Sequence, residues 1–278
     1  MREEKMQISL KGKAGIVTGG ASGIGKGIVM GLAEAGADVA IADVRADAAE
    51  ATAKEVAQKH GVRCIGVQTD VTNKASVEAM VARVVAELGR VDILVNNAGI
   101  APAFPLVDFP EDKWDLCIDI NMKGYFLCAQ AVVRQLINQN QACGEHGRTG
   151  GNIINISSKT GLRGSANNSA YNASKFGVIG LAQGWSRELA PHKIRVNSVL
   201  PGNVLRGSGI WNAEYIAQAA KKLGIKPEEV ENHYNKQVPL GRQCFPEDVA
   251  NMVVFLCSDL ASYITGCSHL VDGGQEMK

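Results

Sequence analysis

Short apolar runs alternate with longer segments of helical periodicity along the whole chain. Seven of the short runs are mostly apolar throughout and rich in β-branched residues. This pattern is typical of strands covered by helices on both faces, because a half-exposed strand would alternate apolar and polar positions. The predicted strands span residues 14–19, 38–44, 64–70, 91–97, 152–158, 195–200 and 268–272.

The segments between these strands predict helices. Apolar residues recur at helical spacing in GIGKGIVMGLAEAGA, RADAAEATAKEVAQKHG and NKASVEAMVARVVAELG, in a long segment from Glu111 to about Asn138, and in the helix that begins SAYNASKFG. Gly36, Gly61 and Gly89 fall where glycine ends helices. Alternation of strand and helix predicts an α/β fold, a doubly wound parallel sheet of the Rossmann type with about seven strands and helices on both faces.

Two polar segments interrupt this alternation within residues 1–278, which otherwise read as a single domain without a linker or an internal repeat. Residues 140–151 form a glycine-rich loop whose role stays open. The insertion at about 203–242, between the sixth and seventh strands, predicts two short helices, AEYIAQAAKKLG and KPEEVENHYN. Long insertions in compact domains are often lids or binding loops. We therefore expect a substrate lid, with an oligomer contact as the alternative.

Composition narrows the range of partners. The net charge of +1, with 21% charged and 46% hydrophobic residues, gives no electrostatic affinity for nucleic acid or for an anionic membrane surface. No apolar run reaches the length that spans a bilayer, and the polar N-terminus lacks a signal-peptide core. Seven scattered cysteines without a Cys-x-x-Cys pair and five histidines without ligand spacing predict no disulfide framework and no metal site. A reducing cytoplasm fits this pattern.

A glycine-rich turn follows the first strand. In TGGASGIGKG, Gly19, Gly23 and Gly25 permit a tight turn, close approach of the backbone to a pyrophosphate, and packing of the next helix on the strand. The helix N-terminus then offers free N–H groups and a positive dipole to phosphates. The preceding strand, the following helix and an acidic residue at the end of the second strand make this a dinucleotide site.

That acidic residue is Asp43, in VAIADV. Its carboxylate can accept hydrogen bonds from both hydroxyls of the adenosine ribose, and it would repel a 2′-phosphate. Two like charges about 4 Å apart cost roughly 4 kcal/mol at an effective dielectric near 20, so we expect NAD as the cofactor. Two alternatives remain: Asp43 only caps the next helix, or Arg45 holds a 2′-phosphate.

Four further motifs follow strands whose carboxyl ends border the expected crevice. They are NNAG at 96–99, Asn121 in IDINMKG, the serine pair in NISSKTG, and Tyr171 with Lys175 in SAYNASKFG. Together with TGGASGIG and the VDGG near the C-terminus, and in this order, they identify the chain as resembling the short-chain dehydrogenase/reductase family. The resemblance covers nearly the whole chain.

This resemblance implies an oxidoreductase and a set of catalytic roles. Tyr171 resembles the general acid/base, and Lys175, one helical turn away, resembles the residue that lowers the tyrosine pKa and holds the nicotinamide ribose. Asn121 resembles the anchor of a proton-relay water. Ser158 resembles the serine that binds the reacting oxygen, because the family places it thirteen positions before the tyrosine, which leaves Ser157 as a packing residue.

The resemblance also implies a cofactor-binding set. Asp70 and Val71 resemble the pair that contacts adenine, and the family often has a threonine at the position of Arg206, so that contact with the nicotinamide amide is in doubt here. The predicted cofactor residues are Gly19, Ser22, Gly23, Ile24, Gly25, Asp43, Asp70, Val71, Asn97, Ala98, Gly99, Tyr171, Lys175, Pro201, Gly202 and Val204.

The C-terminal third resembles family members that interconvert a polyol phosphate and a 2-ketose phosphate with NAD. A phosphate would then need cations, and the candidates are Lys159, Arg163 and Arg206, with Asn168 as a partner for a substrate hydroxyl. The alternatives are that these charges are solvated, that the substrate is an unphosphorylated hexitol, a 3-oxoacyl group or another carbonyl compound, or that the chain binds nucleotide without turnover. Resemblance also implies a homo-oligomer, commonly a tetramer.

Overall fold

Seven parallel strands form one sheet with the order β3-β2-β1-β4-β5-β6-β7. The structure is a computed structural model, and it describes residues 8–143, 150–205 and 213–276. The strands are β1 (Ala14–Thr18), β2 (Asp38–Asp43), β3 (Cys64–Gln68), β4 (Ile93–Asn96), β5 (Gly151–Ile156), β6 (Ile194–Pro201) and β7 (Ser268–Val271). All seven predicted strands are therefore confirmed, with ends that differ by one or two residues.

Nine α-helices lie within the described part of the chain. They are α1 (Gly23–Glu34), α2 (Ala46–His60), α3 (Lys74–Leu88), α4 (Glu111–Ile118), α5 (Gly124–Cys143), α6 (Ser169–Glu188), α7 (Ala213–Leu223), α8 (Val230–Asn235) and α9 (Pro246–Cys257). Gly61 and Gly89 take the left-handed conformation just after α2 and α3, as the helix-stop pattern predicts.

The core has two layers, one on each face of the sheet. One layer packs side chains of α1, α2 and α9, such as Leu32, Val56 and Leu256, on the strands. The other packs side chains of α3 and α5, such as Met80 and Val132. Strands β1, β4, β5 and β6 are buried along their whole length, which explains why their sequences do not alternate. The expected doubly wound α/β domain is thus confirmed.

The strand order reverses direction at β1, which pairs with β2 on one side and with β4 on the other. Connections on opposite sides of this point run to opposite faces of the sheet, so the loops after β1 and β4 diverge and leave a crevice at their carboxyl ends. Open α/β sheets bind ligands at this point. The glycine-rich turn follows β1 and the NNAG motif follows β4, so both border the crevice.

Helices α4 and α5 are joined through a π-helical turn at Asp119–Lys123 into one long helix. By length and composition alone, residues 111–141 of this helix would be able to cross a membrane. Its apolar side chains Cys128, Val132 and Leu136 pack against the sheet in the protein core. The apolar composition therefore reflects burial between the sheet and the surface of the domain.

The insertion after β6 contains two helices, as predicted. Within its described residues, α7 fits the first predicted helix, and a 3₁₀ turn at Pro227–Glu229 followed by α8 fits the second. The predicted loop at 140–151 is too long at both ends, because residues 140–143 belong to α5 and Gly151 begins β5. Residues 144–149 lie outside the described residues. Helix α9, which packs on α1, was not among the predicted elements.

Candidate active site

The glycine-rich turn has the shape of a phosphate cradle. Gly19 has φ +61°, and a Cβ there would stand 3.0 Å from the Cα of Ala98. A Cβ at Gly25 would overlap the carbonyl oxygen of Gly19. Helix α1 begins at Gly23, and Ser22 at its N-cap makes no side-chain cap bond within the described chain. The first-turn N–H groups of α1 therefore remain available to a pyrophosphate.

Thr18 and Asn97 tie the two edges of the crevice together. The Thr18 hydroxyl accepts hydrogen bonds from the backbone N–H groups of Asn97 and Ala98, at 3.0 and 3.1 Å. In return, the Asn97 side-chain amide donates to the carbonyl oxygens of Thr18 and Gly19, at 2.9 and 3.2 Å. The polar ends of β1 and β4 are thus satisfied by each other, which fixes the width of the crevice.

Asp43 stands at the end of β2 beside the glycine-rich turn and is only 6% exposed. Its carboxylate accepts from the backbone N–H groups of Ala21 and Arg45, at 3.2 and 3.1 Å, and from Arg45 Nε at 3.2 Å. Arg45 also donates to the Ser22 hydroxyl at 2.9 Å. Arg45, not Asp43, is the N-cap residue of α2. The alternative of a simple helix cap at Asp43 is therefore wrong.

Tyr171 and Ser158 lie close together beyond the end of β5. Burial raises the pKa of Tyr171 to about 12, against a smaller lowering by the Ser158 hydroxyl. The adjacent hydroxyl of Ser157 points elsewhere and donates to the backbone oxygen of Lys175 at 2.8 Å. Ser158 is thus beside Tyr171, whereas the described wall of the cavity contains Ser157 and not Ser158. The choice of Ser158 for the reacting oxygen stays a prediction.

Lys175 lies one turn after Tyr171 on α6 and is almost fully buried. Its Nζ donates to the backbone oxygen of Ile156 at 2.8 Å and lies 5.6 Å from the centre of the Tyr171 ring. Removal from water lowers the pKa of Lys175 to about 8, and Cys117 nearby raises it slightly. An ammonium at this distance stabilises a phenolate of Tyr171.

Asn121 lies in the π-helical turn between α4 and α5 and is completely buried. Its side chain accepts from Ile100 N and donates to Ile100 O, both at 2.9 Å, and donates to the Ser174 hydroxyl at 3.1 Å. The extra residue of a π turn changes the direction of the side chains, and such turns are frequent at functional sites. Asn121 thereby ties the loop after β4 to helix α6.

These elements border one cavity of about 860 Å³, which holds most of the predicted cofactor residues. Asp43 and the glycine-rich turn line one end, and Tyr171 and Lys175 line the other. Helix α7 contributes Tyr215 and Gln218 to the wall. The predicted cofactor residues in this wall are Gly19, Ser22, Gly23, Ile24, Gly25, Asp43, Asp70, Val71, Asn97, Ala98, Gly99, Tyr171 and Lys175.

Three predicted cofactor residues do not reach the cavity wall. Pro201 ends β6, and Gly202 and Val204 follow it. Gly202 packs on Asp272, and a Cβ at Gly202 would stand 2.9 Å from the Asp272 Cα. Val204 is 3% exposed and belongs to the hydrophobic core. This segment thus packs against the end of β7 and the core, and it is not part of the described cavity wall.

Two of the three cations predicted to hold a phosphate, Lys159 and Arg163, do not line the cavity. Arg163 forms an ion pair with Glu276 at 3.4 Å. Burial lowers the pKa of Lys159, while Glu276 and Asp272 oppose that shift. Both cations therefore face carboxylates of the C-terminal segment, and neither lines the cavity. Arg206 lies outside the described residues.

Asn168 does not line the cavity but contacts Tyr215 of the insertion after β6. Its side chain is a hydrogen-bond partner of the Tyr215 hydroxyl, and its Oδ1 is buried without a partner among the described residues. The N-cap residue of α6 is Asn168, so Ser169 is inside the helix and is not its cap. Tyr215 also faces Tyr171 closely enough to raise its pKa slightly. The insertion thus contacts the catalytic end of the cavity.

Sequence reasoning missed four residues that the structure places at the site. Thr18 is the last residue of β1, and its sequence context does not distinguish it from other buried strand residues. Tyr125 follows Asn121 by one helical turn, a spacing that would have flagged it. Tyr215 and Gln218 lie three residues apart on a predicted lid helix, so a search for polar residues on one face of that helix would have found them.

The geometry agrees with comparisons to known proteins. Residues 19–276 match the family model described as enoyl-(acyl carrier protein) reductase. The chain is 41% identical to sorbitol-6-phosphate 2-dehydrogenase of Escherichia coli K12, over 94% of this chain and 98% of the relative. It is 36% identical to the 3-oxoacyl-[acyl-carrier-protein] reductase FabG of Aquifex aeolicus, over 97% and 99%. The chain belongs to the short-chain dehydrogenase/reductase family.

Solved structures of related proteins have the same fold. Sorbitol-6-phosphate 2-dehydrogenase SrlD from Erwinia amylovora superposes with a TM-score of 0.85 at 40% identity, covering 95% of this chain and all of that one. An NAD⁺-bound xylitol dehydrogenase superposes with a TM-score of 0.84 at 32% identity, covering 95% and 99%. Family membership makes the chain an oxidoreductase of the nicotinamide-dependent type.

Thr18→Val tests the tie across the crevice. Valine keeps the shape of threonine but leaves the N–H groups of Asn97 and Ala98 without an acceptor, so we expect the free energy of unfolding to fall by about 2–4 kcal/mol. Thr160→Val is the matched control, because the buried Thr160 hydroxyl has no partner among the described residues. Urea denaturation measures both variants. Equal stability of the two would contradict the assigned role of Thr18.

Proposed function

We propose that the protein is an NAD-dependent dehydrogenase that interconverts a polyol, or the phosphate of a polyol, and the corresponding 2-ketose. The observation that carries this proposal is the joint burial of Tyr171 and Lys175, with Ser158 nearby, at one end of a cavity whose other end is a dinucleotide cradle. Groups that bind a hydroxyl and move its proton thus lie within reach of a bound nicotinamide.

The cofactor residues fit a dinucleotide. The uncapped N-terminus of α1 and the glycine-rich turn suit a pyrophosphate, and Asp43 beside them suits the hydroxyls of the adenosine ribose. When bound, the nicotinamide supplies or accepts the hydride. The Asp43 carboxylate, already paired with Arg45, disfavours a second phosphate at that ribose. These features support NAD over NADP.

Tyr171 would act on the reacting oxygen of the substrate. With its high pKa in the free protein, the phenol holds its proton and can give it to a ketose carbonyl, while Ser158 orients that oxygen. Oxidation of the polyol needs the phenolate, which the Lys175 ammonium and the positive charge of the oxidised cofactor would stabilise. Asn121, at the junction of α4, α6 and the loop after β4, would hold the water that links Lys175 to solvent.

Helix α7 supports a polyhydroxylated substrate. It presents a hydroxyl (Tyr215) and an amide (Gln218) to the cavity, and the unpartnered Asn168 Oδ1 offers a buried acceptor next to Tyr215. Of these three groups only the Asn168 Oδ1 atom is buried, and a buried polar group favours substrates that can hydrogen-bond with it. The residues after β6 would thus form the predicted substrate lid. A 3-oxoacyl substrate is the second candidate, since relatives of that kind match over the same length.

Whether the substrate carries a phosphate depends on the cations at the end of the cavity that would hold the substrate. Lys159 and Arg163 face Asp272 and Glu276, so their charge is largely balanced within the chain. Lys113 lines the cavity, although it also pairs with Asp112 at 3.2 Å. Arg206 keeps its predicted role as a phosphate ligand. The cytoplasmic location and the tetrameric assembly likewise stay predictions.

A substrate panel tests the proposed function. Hexitols, pentitols and their phosphates are offered with NAD, and 3-oxoacyl thioesters with NADH, and kcat/KM is measured from the change in NADH. We expect oxidation of a polyol or polyol phosphate to exceed thioester reduction by at least about 10²-fold, because buried polar groups discriminate strongly against substrates that leave them unpaired. Faster reduction of the thioester would overturn the proposal in favour of the second candidate.

Replacing Tyr171 by phenylalanine tests the acid/base role. Loss of the hydroxyl should lower kcat by about 10²- to 10⁴-fold, the usual contribution of proton transfer, while NADH still binds. Tyr263→Phe is the control, because Tyr263 is fully exposed and its loss should leave turnover unchanged. Substantial turnover by Tyr171→Phe would assign the proton transfer to another group.

Asp43→Asn tests the choice of cofactor. The wild type should prefer NAD, and the amide should shift the NADP/NAD ratio of kcat/KM upward by about 10²- to 10³-fold, because it removes a repulsion of about 4 kcal/mol and releases Arg45. Asp47→Asn is the control, since it removes the same charge from an exposed position in the first turn of α2. A wild type that prefers NADP would refute the assignment.

A further inference from the structure

Tyr125 is a buried hydroxyl beside the catalytic lysine to which neither the sequence motifs nor the proposed mechanism gives a role. It lies four residues after Asn121, in the first turn of α5 after the π-helical turn, and is 1% exposed. The side chain does not line the cavity. Any influence on the reaction must therefore pass through another residue.

The Tyr125 hydroxyl and Lys175 share one carbonyl oxygen. Tyr125 donates to the backbone oxygen of Ile156 at 3.0 Å, and Lys175 Nζ donates to the same oxygen at 2.8 Å. The hydroxyl proton of Tyr125 is directed to Ile156, so the lone pairs of the Tyr125 oxygen can accept a further hydrogen bond. Lys175 Nζ lies 3.4 Å from this oxygen. The ammonium also lies 5.3 Å from the centre of the Tyr125 ring, a distance at which the π-system attracts a cation.

We propose that Tyr125 is a positioning residue that holds the Lys175 side chain by its hydroxyl and ring and keeps it in the ammonium form required by Tyr171. The proposal rests on the role proposed for Lys175 in the function above. A buried ammonium loses its water, and hydrogen-bond acceptors in its place favour the charged form. Tyr125 supplies such an acceptor on the side of Lys175 that faces away from the cavity.

The surroundings of Lys175 leave few other groups for this task. Among the residues that the structure describes, the titratable groups that face Lys175 are Tyr171 on its own helix, Tyr125 from α5 and Cys117 from α4. Burial raises the pKa of the Cys117 thiol to about 11 and raises the pKa of Tyr125 well above its usual value. Both therefore stay neutral near pH 7, so Tyr125 acts as a dipole and not as a counter-ion.

The pH dependence of Tyr125→Phe distinguishes this role from simple packing. Phenylalanine keeps the ring but removes the acceptor, so Lys175 loses its proton at lower pH. At low pH both proteins hold the ammonium, and their kcat/KM values should lie close together. As the pH rises, the ratio of wild type to variant should grow to about tenfold, since one pKa unit corresponds to a factor of ten. A ratio that is constant across the pH range would show a merely structural role.

A binding cycle tests the same point without a substrate. NADH affinity is measured by fluorescence for the wild type, Tyr125→Phe, Lys175→Met and the double variant. If Tyr125 acts through Lys175, Tyr125→Phe weakens binding severalfold in the wild type and has no further effect in the Lys175→Met background. Equal losses in both backgrounds would overturn the proposal. Because no polyol or ketose is present, this outcome is independent of whether the substrate proposal holds.

Controls separate these effects from misfolding. Circular dichroism and thermal unfolding report the fold of each variant, and Tyr263→Phe removes a hydroxyl from an exposed site. Fluorotyrosine at position 125 keeps the shape and the hydroxyl but weakens the oxygen as an acceptor. It should give the same pH-dependent trend at smaller size, and it provides the test should the phenylalanine variant not fold. A flat wild-type-to-fluorotyrosine ratio would likewise refute the proposal.

Discussion

The burial of one ammonium group organises the catalytic end of this protein. Lys175 is held out of water, and a charge in that position is stable only where oxygens replace its hydration. The carbonyl oxygen of Ile156 supplies one such contact at 2.8 Å, and Tyr125 supplies another. The same burial brings the positive charge within reach of Tyr171, whose phenolate it favours. The burial of the Lys175 ammonium thus explains both why oxygens surround it and why a phenolate of Tyr171 is favoured.

The other end of the cavity depends on hydrogen bonds between strand ends. The sheet reverses its order at β1, so the chain must satisfy exposed backbone groups where β1 and β4 part. Thr18 and Asn97 do so reciprocally, with each side chain bonding the backbone at the other strand end. The N-terminus of α1, which follows the glycine-rich turn, has no side-chain cap bond from Ser22. The features that suit a dinucleotide therefore follow from how the sheet closes its own polar ends.

Cations near the two ends of the cavity face carboxylates of the same chain. Arg45 is paired with Asp43 at the adenosine end, whereas Arg163 and Lys159 face carboxylates of the C-terminal segment. Cations that a sequence motif places near a substrate are thus partly neutralised by residues more than a hundred positions away. Helix α7 contributes a hydroxyl group and an amide group to the cavity wall, from Tyr215 and Gln218.

The sequence by itself determined the sheet, the stops of the first three helices and the glycine-rich turn, whereas the group of Asn121, Ser158, Tyr171 and Lys175 came from the family resemblance. The first three are local signals: buried strands are apolar along their length, and glycine alone tolerates the required backbone. Only the tertiary structure decided that Pro201 and Val204 lie outside the described cavity wall, that Lys159 and Arg163 face Glu276, and that Tyr125 lies against Lys175. Each of these depends on contacts between residues distant in the chain, and side-chain identity alone does not specify which partner a charge or a hydroxyl will find when the chain folds.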